Sequence, residues 1–290
     1  MVRLAIRNLS QLESSNPLLT LASRIFHLFR HRKNRNTQDG SRRNIHAHYD
    51  LSNDFFRLFL DRSMMYSSAI YQHPSDTLEE AQVEKLDRIC RKLQLGPRDH
   101  VLEIGTGWGA FALHASRHYG CRVTTTTISR EQHDQAKASF ATAGDAGARI
   151  TLLLEDYRNL RGTYNKLVSI EMFEAVGQAY WPTYFKTVSN LLASGGKACI
   201  QTITIDDALF ERYLQGTDFI QHYIFPGGCL PSPSEFRRQA QAAGLRVVDE
   251  FSLRLDYAET LRRWHSAFNA KKGQVQGMGF DDVFMRTWQF

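Results

Sequence analysis

The residues best suited to chemistry begin at Val101-Leu102-Glu103-Ile104-Gly105-Thr106-Gly107-Trp108-Gly109, where an apolar run breaks into glycines. Gly105 and Gly107 permit a tight turn and let backbone N–H groups approach a ligand closely. The spacing is G-x-G-x-G with an acid, Glu103, two residues ahead, unlike the G-x-G-x-x-G of dinucleotide-binding proteins. Thr127-Ile128-Ser129 stands where many nucleotide-binding folds place a ribose-binding acid. Gln132, one turn later, suits either a ribose hydroxyl or a capping box with Ser129. Glu155-Asp156-Tyr157 suits an adenine edge, Asp156 accepting from the amino group and Tyr157 stacking, with a polar turn as the alternative. Glu174 is a carboxylate placed to orient or accept a proton.

Those residues need a framework of alternating elements. Strands are expected at 100–104, 122–127, 150–154, 167–171, 197–203 and 245–251, with helices such as 110–119, 129–141 and 179–193 between them. Such alternation predicts crossover units on a sheet, hence an α/β, doubly wound, mostly parallel, Rossmann-like fold. Ahead of it, Thr77 and Glu80 predict a capping box for a helix that buries Leu86, Ile89, Cys90 and Leu93 and stops at Gly96-Pro97. Residues 205–230 interrupt the rhythm with Phe210, Tyr213, Phe219, Tyr223 and Phe225, which predicts an aromatic lid at the sheet's carboxyl edge.

Six ordered motifs are together similar to a known family. They are Asn44-x-His46-x-His48-Tyr49-Asp50-Leu51-x-Asn53, Tyr66-Ser67-Ser68-Ala69, Leu102-Glu103-Ile104-Gly105, Thr127-Ile128-Ser129 with Gln132, Met172-Phe173-Glu174-x-Val176-Gly177, and Tyr223-Ile224-Phe225-Pro226-x-Gly228-Cys229-Leu230-Pro231. This set resembles the cyclopropane-fatty-acyl-phospholipid synthases and mycolic-acid methyltransferases, from about Asn44 onward. The resemblance implies a class I methyltransferase fold, S-adenosylmethionine as donor, and a cis alkene in a membrane phospholipid's acyl chain as acceptor. Cofactor contacts carry over onto Tyr66, Ser67, Gly105, Thr127, Ile128 and Gln132, and methyltransferase turns of this E/D-x-G-x-G-x-G type face the cofactor's methionine and ribose end.

An alkene is a weak nucleophile, so the site must align its π electrons with the donor methyl and shelter the resulting carbocation from water. Trp108, Phe173, Tyr180, Trp181, Phe219 and Phe225 are candidate walls. For proton removal the resemblance implies a bicarbonate held by a glutamate, a tyrosine, a histidine, a cysteine and backbone groups. Glu174 and Tyr223 match that set, whereas the cysteine is Ser68 and the histidine is Gln201. Both replacements can hydrogen-bond an anion, but neutral Gln201 supplies no charge. Loss of a proton from the transferred methyl, giving a cyclopropane or methylene product, is expected over a simple methyl branch.

The four cysteines, Cys90, Cys121, Cys199 and Cys229, form no C-x-x-C pair, which argues against a zinc site or a disulfide scaffold. Net charge is +6, yet residues 1–48 alone hold nine Arg or Lys against Glu13 and Asp39. Within this segment Leu18, Ala22, Ile25 and Phe29 form a stripe at helical spacing behind Asn16-Pro17. Basic charge beside an apolar stripe favours an anionic membrane surface over nucleic acid. The expected division is a basic amphipathic segment with a polar linker over 1–43 and a catalytic domain over 44–290. With no signal peptide and no apolar stretch long enough to span a bilayer, a cytoplasmic, peripherally membrane-bound protein is expected. Residues 281–290 read as a helix with no strand behind it to complete the fold, so C-terminal truncation is also expected. A methyltransferase for a soluble small molecule, or an inactive lipid- or cofactor-binding module, are the competing readings.

Overall fold

The computed structural model describes residues 36–49 and 51–290, so the stripe from Leu18 to Phe29 lies outside the described residues. Five parallel strands form the sheet: β1 (His100–Ile104), β2 (Arg122–Thr127), β3 (Ile150–Leu154), β4 (Tyr164–Ile170) and β5 (Leu192–Gln201), in the order β3-β2-β1-β4-β5. The chain moves outward one way from β1 and then returns to its other side, which creates a switch point between the carboxyl ends of β1 and β4. Both faces of β1 are covered, which accounts for the unbroken apolar character of Val101-Leu102. Val101 packs with Leu86, Ile89, Phe111 and Val123 on one face, while Leu102 and Ile104 pack with Leu167, Phe173, Trp181 and Tyr184 on the other.

The helices that position the site are α1 (Gln38–Tyr49), α2 (Asn53–Phe56), α3 (Leu78–Leu93), α4 (Ala110–Tyr119), α5 (Arg130–Ala141), α6 (Asp145–Ala148), α7 (Trp181–Leu191), α8 (Asp207–Leu214), α9 (Pro233–Ala242), α10 (Arg254–Ala270), α11 (Lys272–Gly277) and α12 (Asp282–Gln289). The capping box at Thr77 and Glu80 is formed, but α3 ends on Gln94, whose φ of 56° is left-handed, before Gly96 is reached. The linker expected up to Arg43 is helical from Gln38 on. Residues 44–71, where no period was evident, contribute Phe55, Phe56 and Phe59 to a third cluster with Trp108, Trp264, Phe268 and Met285. This cluster joins α2, α10 and α12 to the glycine turn.

One expected strand is absent. Residues 245–251 join no sheet, and Val248 is 77% exposed. A strand needs a ladder partner, and among the described residues none pairs with this segment or with the outer edge of β5. No described helix is long and apolar enough to cross a membrane.

Candidate active site

A cavity of about 750 Å³ opens at the switch point. Its inner half is built by the ends of β1, β2 and β3. Gly105 and Gly107 adopt φ of 103° and 52°, and a Cβ on Gly107 would meet no protein atom within 4 Å, so the turn leaves space for a ligand beside it. Glu103 lines the same space with 2% exposure; its Oε2 accepts from Thr125 Oγ1 at 2.6 Å, and burial pushes its pKa up to about 8. Thr127, Ile128 and Gln132 line the cavity together. Ser129 Oγ accepts from Gln132 N at 3.3 Å, capping α5, but the Gln132 side chain does not return to complete a box. Its Oε1 instead accepts from Thr127 Oγ1 at 2.9 Å, which leaves Nε2 for a ligand.

Asp156 and Tyr157 also line the cavity. Asp156 is paired more tightly than a free adenine acceptor: Arg158 donates from Nε to its Oδ1 and from Nη2 to its Oδ2, both at 2.7 Å. The polar-turn reading therefore holds for its backbone role, since Oδ1 also accepts from Arg158 N at 3.0 Å. Arg158 reaches on to Asn36 O at 2.8 Å and so ties the start of the described chain to the cavity.

The outer half is apolar and aromatic, with Trp108, Phe219, Phe225, Trp264, Phe268 and Trp288 on its walls. Trp108 is fixed by donating from Nε1 to Asn53 Oδ1 at 2.6 Å, and Tyr66 stacks on Phe225 at 6.4 Å. Phe173, Tyr180 and Trp181 are not walls. Phe173 and Trp181 are fully buried and stacked 5.6 Å apart in the core beneath β4, because the turn after that strand folds them under the sheet.

The expected proton-handling residues divide. Glu174 lines the cavity, its Oε1 accepting from Ile203 N while its Oε2 is buried without a hydrogen-bond partner among the described residues. Burial, and next the neighbouring Glu171 carboxylate, push its pKa up to about 8. Tyr223 does not reach it. The turn Ile220–Ile224 is π-helical, with Phe225 N donating to Ile220 O at 2.8 Å, and this winding turns Gln221 and Ile224 inward and Tyr223 out to 61% exposure. Ser68 Oγ donates to its neighbour Ala69 O at 3.1 Å, and Gln201 Nε2 donates to Glu171 Oε1 at 2.8 Å; neither side chain lines the cavity. Of the four side chains expected around a bicarbonate, Glu174 lines the cavity, whereas Tyr223 is turned away and Ser68 and Gln201 are engaged elsewhere, so the residues present do not fit that ion.

Two residues escaped the sequence reading. Glu171 lines the cavity one position beyond β4 with φ of 45°, and Lys85 is fully buried in α3 with Nζ donating to Ser67 Oγ at 2.6 Å. The available signal was position: Gln82, Lys85, Leu86, Ile89 and Leu93 share the inward stripe of α3, and a lysine there needs a partner. Tyr66 and Ser67, both expected, line the cavity beside this pair.

A parallel sheet in this order, with a carboxylate and a glycine turn at the end of β1, defines a class I S-adenosylmethionine-dependent methyltransferase fold. Two solved structures share it: the cyclopropane synthase MmaA2 from Mycobacterium tuberculosis, with TM-score 0.78 and 31% identity over 86% of this chain and 90% of that one, and the mycolic acid cyclopropane synthase CmaA1 complexed with SAH and CTAB, with TM-score 0.77, 33% identity and the same coverage. The sequence model for mycolic acid cyclopropane synthetase matches residues 36–290, and the chain belongs to that family. Among its relatives, the tuberculostearic acid methyltransferase UfaA1 of Mycobacterium tuberculosis is 43% identical over 263 residues, which are 87% of this chain and 61% of that protein. A fatty acid methyltransferase of Pseudomonas putida, so described as probable, is 39% identical over 76% of this chain and 56% of its own length. The chain therefore spans about three-fifths of these two relatives.

Proposed function

We propose that this protein is a C-methyltransferase that uses S-adenosylmethionine to alkylate the double bond of an unsaturated fatty-acyl chain in a membrane phospholipid. The observation that carries this reading is one continuous cavity with open space at a glycine turn in its inner half and a wall of aromatic side chains in its outer half. Gly105, Gly107, Thr127, Ile128 and Gln132 would hold the cofactor, together with Glu103, Asp156 and Tyr157. When bound, it supplies an electrophilic methyl group on a sulfonium. The work of the chain is then to exclude water and align the alkene, for which Trp108, Phe225 and Trp264 provide rigid apolar faces. The names of relatives, a tuberculostearic acid methyltransferase and cyclopropane mycolic acid synthases, fit an acyl chain as acceptor. The basic N-terminal segment fits delivery of that chain from an anionic membrane surface, and attachment to the inner face of the membrane from the cytoplasm is part of the reading.

Vesicles of cis-monounsaturated phospholipid, incubated with the protein and donor carrying a fully deuterated methyl, test the proposal. The expected product retains two of three deuterons, as in a cyclopropane or methylene group. Retention of all three would mean a methyl branch with the proton lost from the chain, and absence of any labelled lipid would defeat the lipid reading. Gly107→Val, which places a β-branched residue at a left-handed φ beside the ligand space, should lower cofactor affinity by at least about tenfold in calorimetry. Unchanged affinity would remove the glycine turn from the cofactor site.

A further inference from the structure

We propose that Glu171 is the base of this enzyme, its own side chain accepting the substrate proton in place of a bound bicarbonate. The inference rests on the methyltransferase reading above. Two N–H groups converge on Glu171 Oε1, from Ser68 N at 2.9 Å and Gln201 Nε2 at 2.8 Å. Those two residues are the ones expected to hold an exogenous anion, and a carboxylate of the chain already takes their donors. Oε2 accepts no hydrogen bond from the described residues, and the residue lines the cavity.

A second observation is independent of the hydrogen bonds. Glu171 has φ of 45°, in the region that favours glycine, immediately after the last residue of β4. A non-glycine residue is held there only when its surroundings over-determine it, and such residues gather at functional sites. Here Glu171 N donates to Gln201 O at 2.8 Å, so backbone and side chain are both tied to β5.

The charge arrangement separates Glu171 from Glu174. Lys85, fully buried on the far side of Ser67, attracts the Glu171 carboxylate, and the two N–H donors favour its ionised form. Burial works against that charge and pushes its pKa up, as burial brings Lys85 down to about 7, but each partner opposes the shift of the other. Glu174 Oε1 accepts from Ile203 N, and burial and next the Glu171 carboxylate push its pKa up to about 8, which favours its neutral form. Of two carboxyl groups at one wall, the one that faces the buried cation and receives both the Ser68 and the Gln201 donor is the better placed to act as base.

The step balances without an oxidant or reductant. In methyl transfer the alkene's π pair would form the bond from one of its carbons to the donor methyl as the methyl's bond to sulfur breaks, that pair staying on a neutral thioether and the neighbouring carbon becoming cationic. Glu171 Oε2 takes a proton from the transferred methyl, and the electron pair of that C–H bond closes the second C–C bond of a cyclopropane. If a hydride first moves from the methylated carbon to its cationic neighbour, the same pair becomes the π bond of a methylene group. In either case the carboxylate becomes a carboxylic acid and no charge is left in the apolar chamber.

The test compares wild-type protein with Glu171→Gln and Glu171→Gly, the latter compatible with the backbone at this φ. Glu171→Gln should lower methyl transfer to phospholipid vesicles by roughly 10²- to 10⁴-fold while cofactor affinity in calorimetry stays within about threefold. Glu171→Gly should be equally slow, should recover at least about tenfold with added formate, and should show a formate-dependent rise in melting temperature that wild type lacks. Wild-type turnover should be unchanged in buffer stripped of carbon dioxide. A Glu171→Gln rate near wild type, a glycine variant indifferent to formate, or a wild-type rate that falls without bicarbonate would each overturn the proposal. Failure of wild type and variants alike to methylate lipid would instead overturn the reading on which it rests.

Discussion

Glu103 shows how a single buried carboxyl group links the site to stability. It is buried in the central strand of the sheet, its Oε2 accepts from Thr125 Oγ1, and burial raises its pKa from the ordinary 4.5 to about 8. The folded carboxyl keeps its proton to higher pH than the unfolded one, so its contribution is fully present below about pH 4.5 and is lost as pH rises through about 8. Gln at this position keeps an oxygen to accept from Thr125 Oγ1 and never ionises. Relative to Glu103→Gln, the wild-type protein should therefore lose roughly 3 kcal/mol between about pH 5 and pH 8 in urea unfolding at each pH. Parallel pH profiles for the two proteins would show that Glu103 is not buried in this way. At this scale the sequence was readable where a turn needs a particular backbone shape, as at Gly105 and Gly107, both of which adopt positive φ. It was unreadable where geometry decides between neighbours. Glu171 and Glu174 are both carboxylates at the end of one strand, and what distinguishes them, the hydrogen bonds from Ser68 and Gln201, the buried Lys85 and a left-handed φ, lies in the fold.

The elements divide by whether their reason is local. Some strands carry their own signal, β1 as a buried, largely apolar run bounded by turns and β2 as a run of β-branched residues. Residues 245–251 have the same local character without a partner to pair with, and pairing is not a local property. The lid is a third case. Its aromatic composition was evident, but its attachment was not, because Asn36 performs it from 191 positions away, donating from Nδ2 to Gly227 O at 2.9 Å. Asn36 is 5% exposed, and its Oδ1 accepts from Asn44 Nδ2 at 2.8 Å, so one amide joins the head of α1, its second turn and the lid. A methyl on Gly177 would lie 2.7 Å from that same Nδ2, which leaves room only for glycine. Asn36→Ala should cost about 1–3 kcal/mol in unfolding free energy, as expected when buried polar partners are left unpaired, and should hasten proteolytic cleavage within residues 205–230. Cleavage at the wild-type rate would mean that the lid is held by other contacts.

On the proposed function, the question at the scale of the whole molecule is how an acyl chain would leave a bilayer and enter the cavity. Ile220, Leu261 and Phe290 line the cavity and yet are 48%, 49% and 66% exposed, so its mouth presents apolar side chains to the surroundings. Residues 1–35 add seven Arg or Lys against Glu13 alone. An apolar mouth and a separate cationic segment suggest a division of labour in which charge brings the protein to an anionic surface and the mouth takes the chain. Removing residues 1–35 takes away that charge and leaves Asn36 and every described residue of the cavity wall in the chain. Because each basic residue near an anionic surface contributes about 1 kcal/mol, the deletion should weaken binding to anionic vesicles by roughly tenfold or more and leave binding to neutral vesicles nearly unchanged. Raising salt should weaken the intact protein's binding in the same way, since exposed charges are screened over about 10 Å at 0.1 M. Leu261→Asp should behave differently, slowing turnover on vesicles of either charge with little effect on anionic binding. Sedimentation with vesicles of both compositions, followed by labelled methyl transfer on each, separates the two effects. Equal partitioning of intact and shortened protein to anionic vesicles, insensitive to salt, would leave the basic segment without a membrane role and place recruitment on the mouth alone.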